Sequence, residues 1–83
     1  MKMSQKAKQW YYLSELQLRW LVGHGTYSES QEALDQVQKI KEAGHSLAIY
    51  YSEFNGFRVI DEDDPEQFKI GLSIGSRAKS FRM

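Results

Sequence analysis

The chain has 83 residues, with eleven basic and eleven acidic side chains and no cysteine. That is room for one small domain with a thin core, and it excludes a disulfide framework, a thiolate metal site and a cysteine nucleophile. The charges are sorted along the chain: residues 1–20 carry Lys2, Lys6, Lys8 and Arg19 against Glu15, residues 71–83 carry Arg77, Lys79 and Arg82 with no acid, and residues 21–70 hold ten acids against four bases.

The first residues are charged, but no apolar run comes after them, so they do not read as a secretory signal. No stretch approaches the roughly 18 apolar residues of a membrane span. The expectation is a soluble, cytoplasmic protein: a single α+β domain over residues 1–83 with flexible basic ends at about 1–8 and 76–83.

Residues 9–22 alternate. Trp10, Tyr12, Leu16, Leu18, Trp20 and Val22 fall on one face at period two, with Ser14 the one polar member. A helical wheel scatters the same residues, so the segment reads as a long strand with a break, bend or bulge near Ser14 and Glu15. A helix over 5–13 is the competing reading. Gly23 and Gly25 end the strand.

A helix is expected over roughly 29–43. Ser28 or Ser30 can cap it, and Ala33, Leu34, Val37 and Ile40 form an apolar stripe. Acids come early in it and lysines late, as the helix dipole favours. Gly44 stands next, as the residue that ends it in a left-handed conformation.

A hairpin comes next, with runs 46–54 and 57–60 flanking Asn55-Gly56, the strongest short hairpin signal. A two-residue type I′ turn there sets Phe54 opposite Phe57, Glu53 opposite Arg58 and Tyr51 opposite Ile60. The acidic run 61–66 reads as a solvated turn in which Asp64 caps a single turn begun by Pro65. It lacks the glycine and glutamate of a calcium loop. Phe68, Ile70, Leu72 and Ile74 alternate, which reads as a last strand, and Gly75 onward reads as a tail.

The expected order is therefore β-α-β-β-β, one helix on a mostly antiparallel sheet of three or four strands. One helix covers one face, yet the hairpin is apolar on both. A homodimer or another partner is expected on the second face.

Chemistry is sparse. His24 and His45 are the two imidazoles, and neither sits in a nucleophile motif. No glycine spacing matches a phosphate loop. No catalytic residue, metal or cofactor is assigned. The aromatic strands suggest a ligand or partner face at Tyr50, Phe54, Phe57 and Arg58. Arg77, Lys79 and Arg82 are candidate phosphate contacts.

Residues 20–60 also carry Gly25-Thr26-Tyr27-Ser28 before the helix, Ala33 within it, Gly44 eleven positions later, and Phe57-Arg58-Val59 in a later strand. This pattern resembles the SPOR domain, a small peptidoglycan-binding module. The resemblance implies a ferredoxin-like arrangement with a second helix before the last strand, a place where residues 61–67 read as too short for one. It also implies a ligand near Tyr50, Phe57 and Arg58. Three functions are expected, in this order: a non-enzymatic binding or regulatory module working through protein contacts, with self-association as one form; a nucleic-acid binder using the basic arms and aromatic sheet; and a SPOR-like glycan binder.

Overall fold

A computed structural model describes residues 9–25 and 28–81. The first strand, β1, is short, Trp10–Leu13. The expected break at Ser14 is present, but beyond it the chain turns into a helix, α1 (Glu15–Gly23), and not into more strand. The cause is a capping box. The Ser14 hydroxyl accepts from the Gln17 amide at 3.1 Å, and the Ser14 amide donates to Gln17 Oε1 at 2.8 Å. These bonds satisfy donors that a helix start otherwise leaves bare. Leu18 and Leu21 then turn inward, while Leu16 and Trp20 turn out.

The next helix, α2 (Ser28–Glu42), lies where the sequence placed it and buries Ser30, Ala33 and Val37. It ends in a Schellman arrangement: the Gly44 amide donates to the Lys41 carbonyl and the His45 amide to that of Ile40, with Gly44 at φ +79°.

Strands β2 (Leu47–Ser52) and β3 (Gly56–Asp61) form the expected hairpin in a different register. Tyr51 pairs with Phe57, Tyr50 with Arg58 and Ser52 with Gly56. Three residues, 53–55, make the connection. Among the described residues positive φ is confined to glycines, so Asn55 does not take the conformation a type I′ turn demands of it. Gly56 alone does, at +74°. The loop is one residue longer and begins two residues earlier than expected, so Tyr51 meets Phe57 and not Ile60.

The largest departure is residues 65–75. They form a helix, α3 (Pro65–Gly75), and not the last strand. Asp64 is its cap, accepting from the Glu66 amide at 3.0 Å, and Pro65 stands in the first turn. The cap and proline were legible as one turn, and the turn continues for eleven residues. The helix for which residues 61–67 read as too short therefore starts inside that segment. The expected tail is also structured over β4 (Ala78–Ser80).

The sheet order is β3-β2-β1-β4. β1 is antiparallel to β2 and parallel to β4, and β2 is antiparallel to β3, so the sheet is mixed within an α+β fold. Pleating sends Leu13, Ile49, Tyr51 and Val59 to one face, where they pack with Leu18, Leu21, Ala33 and Val37 of α1 and α2. Trp10, Ala48, Tyr50 and Ile60 point to the other face and meet Ile74 of α3. The second face, expected to need a partner, is covered by the chain's own third helix. No helix among the described residues is long and apolar enough to cross a membrane.

Candidate docking groove at the β3 edge

The sheet order leaves β3 at one edge. In an antiparallel ladder, residues alternate between bonding the neighbouring strand and pointing their backbone groups away from it. The Glu62 amide donates to the Ser46 carbonyl at 3.0 Å, which places Ile60 and Arg58 among the residues that bond β2. Val59 and Asp61 therefore turn their amides and carbonyls outward. Asp61 bears this out, because its amide is taken by Gln67 Oε1 of α3 at 2.8 Å.

Beside this edge lies a groove of about 600 Å³. Phe57, Arg58, Val59 and Ile60 form its floor. Gln36, Lys39 and Ile40 of α2 form one wall, and Gln67 and Ile70 of α3 the other. Ile70 is 45% exposed here. The groove runs on into a hollow of about 260 Å³ bounded by Glu29, Glu32, Gln36 and Phe54, the two sharing Gln36, Asn55 and Phe57. One end of the trough is thus cationic, at Lys39 and Arg58, and the other acidic, at Glu29 and Glu32. Among the described residues none of these four belongs to an ion pair.

The residues singled out from sequence divide. Phe57 and Arg58 both line the groove, from opposite sides of the sheet, and Phe54 stands at its acidic end, 67% exposed. Tyr50 does not join them. It is 7% exposed, faces α3 and makes an edge-on contact with Tyr12 at 5.7 Å between ring centres. Burial, with the Glu62 charge second, raises its hydroxyl pKa above the ordinary 10.0. Tyr50 borders a separate hollow of about 330 Å³ with Glu62, Phe68 and Leu72. Arg77 and Lys79 are exposed at the opposite end of the sheet, beside and on β4, and Arg82 lies outside the described residues. Gln36, Lys39, Ile40, Gln67 and Ile70 were not anticipated. A helical reading of 65–75 would have found Gln67 and Ile70, three positions apart on one side of α3.

The polar loops are occupied with holding themselves. His45 Nδ1 lies 2.9 Å from Asp61 Oδ2, the Asp63 amide donates to Asp61 Oδ1 at 2.9 Å, and the Ser46 amide donates to Asp63 Oδ2 at 2.8 Å. The hydrogen bond with Asp61 raises the His45 pKa above 6.5, and the same bond lowers that of Asp61. On α1, Glu15 takes hydrogen bonds from Lys41 and Arg19, in that order of influence, which lowers its pKa. These contacts tie α1 to α2 and the helix end to β3.

Comparison with family models, with characterised proteins and with solved structures finds no match to this chain.

Proposed function

We propose that this chain is a small non-enzymatic binding module that works through protein–protein contacts along the β3 edge. One observation carries the reading: an edge strand with outward-turned backbone groups at Val59 lies between two helices, each of which sets an isoleucine, Ile40 or Ile70, among polar side chains in the groove wall. An extended segment in such a groove gains main-chain hydrogen bonds from the strand and side-chain selection from the walls. The other conspicuous titratable groups, Glu15, His45 and Asp61, are spent on tying elements together.

The nucleic-acid reading has less support. Stacking on successive bases needs a row of open rings, whereas Trp10, Tyr50 and Tyr51 are buried under helices on the two faces, and the open rings Tyr12, Trp20, Phe54 and Phe68 stand on β1, α1, the hairpin loop and α3. Of the basic arm at the end of the sequence, Arg77 and Lys79 lie among the described residues, which is few charges for a phosphate footprint.

The test is selection of random ten-residue peptides on the wild-type chain and on Ile70→Lys, at protein concentrations well below micromolar. Enrichment of strand-forming sequences on the wild type, lost on the variant, is the expected result. Equal enrichment on both, or none on either, removes the groove as the binding surface.

A further inference from the structure

We infer that the occupant of the β3 groove is the β3 edge of a second copy of this chain, paired antiparallel about a two-fold axis beside Val59. The inference rests on the groove being a docking surface and adds who docks there.

The first support is the charge order along α2. Glu29 and Glu32 stand at one end of the wall, Lys39 at the other, and Gln36 between them. A two-fold axis across the middle of this wall reverses the second copy. Glu32 of each chain then faces Lys39 of the other, and the uncharged Gln36 meets its equivalent. A surface that complements itself under a two-fold is what an isologous dimer requires. Within the chain, among the described residues, neither Glu32 nor Lys39 has an ionic partner to give up.

The second support is the strand. Val59 turns both its amide and its carbonyl outward. Opposite its own equivalent it forms two reciprocal hydrogen bonds, the closely spaced pair of an antiparallel ladder. This register places Arg58 opposite Ile60 of the second copy. An axis one residue earlier would bring the two Arg58 side chains face to face, where like charges repel. Gln67 already holds the Asp61 amide, so the shared ladder is short. Ile40 and Ile70 on either side supply the apolar contact that a short ladder lacks.

The experiment is sedimentation equilibrium from about 1 μM to 1 mM on the wild type, Glu32→Lys, Lys39→Glu and the double swap. Both positions are exposed, so the substitutions leave the core intact. The wild type is expected to dimerise. Each single reversal, acting twice by symmetry, should weaken the dimer roughly tenfold at low salt, and the double swap should restore it. The Val59 amide should exchange more slowly with solvent as concentration rises. A wild type that stays monomeric overturns the inference. So does a dimer that ignores the charge reversals or whose double swap fails to recover. A monomer that still selects strand-forming peptides, with loss on Ile70→Lys, overturns only the choice of occupant and leaves the docking groove standing.

Discussion

The two faces of the sheet are covered in contrasting ways. Under α1 and α2, large side chains interdigitate: Leu13, Leu18, Val37 and Ile49 are fully enclosed. Under α3, closeness replaces bulk. Ile74 is the one buried side chain the helix contributes, and Gly71 and Gly75 let its backbone settle on the strands. A Cβ added at Gly71 would lie 2.9 Å from Ile60 Cγ2, and one at Gly75 would lie 3.1 Å from the Tyr50 hydroxyl. In the first layer both sides contribute large buried side chains, and in the second the sheet supplies them, with Trp10, Tyr50 and Ile60, while the helix offers glycines and Ile74. Phe68, Ile70 and Leu72 consequently remain half out in solvent, and α3 turns an apolar side chain into each of the two hollows it borders.

The sharpest way to break this contrast is to remove volume from the first layer. Leu18 is 0% exposed, so Leu18→Ala leaves a cavity that a close-packed neighbourhood cannot fill, at a cost of about 2–5 kcal/mol. For a domain of this size that is a large share of the whole stability. A urea melt should show a much lower midpoint, and a loss below ~1 kcal/mol would mean that α1 is not part of the cooperative core.

Adding volume to the second layer comes next. Gly71→Val should cost roughly 1–3 kcal/mol by pushing α3 off Ile60. The informative reading is local: amide exchange should accelerate along α3 while α1 and α2 keep their protection. Uniform acceleration would show that the two layers unfold as one.

The smallest effect concerns the loop that joins the layers. The folded-state pKa of His45 is raised, so its tie to Asp61 is fully present below the unfolded value and is lost as pH rises through the raised one. For Asp61 the shift is downward, and its share is lost as pH falls through that lowered value. An NMR titration should find the His45 imidazole titrating above 6.5, and Asp61→Asn should bring it back toward that figure. Because the His45 side of the pair is open to solvent, melting temperature should barely move.

Legibility in the sequence divides along the same line. The helix at Ser28–Glu42 was legible because its stripe, its charges and Gly44 all agree. The hairpin was legible from Asn55-Gly56, but its register was not, since a three-residue loop uses the same glycine as a two-residue one. The α1 and α3 segments misled because an apolar alternation can be carried by a helix whose outward residues stay apolar. Leu16 and Trp20 do this on α1, and Phe68 and Leu72 on α3. The better guides were polar. Ser14 with Gln17 spells a capping box, and Asp64-Pro65 spells a helix start. Phe57 and Arg58, singled out from sequence, line the groove, while its helical walls were not anticipated, one of them belonging to a segment read as strand. Tyr50 was assigned to the same face through the mistaken register.

The parallel pairing of β4 with β1 has a bearing on how the protein is made. β1 is the first described strand to be synthesised and β4 the last, yet they are neighbours, with Trp10 opposite Ala78 and Tyr12 opposite Ser80. The outer edge of β1 therefore waits through the synthesis of every other described helix and strand before its partner exists. During that time α1, α2, β2 and β3 can already assemble, since their contacts lie within residues 10–61. The closing step is a three-residue strand, the Phe81 amide donating to the Tyr12 carbonyl at 3.1 Å, and Gln17 Nε2 donating to the Phe81 carbonyl at 2.6 Å. Gln17 thus helps to start the first helix and also to fasten the last strand. A nascent chain stopped before residue 78 would carry a helix cap in order and a bare sheet edge beside it, a state in which pairing with another unfinished chain competes with completion.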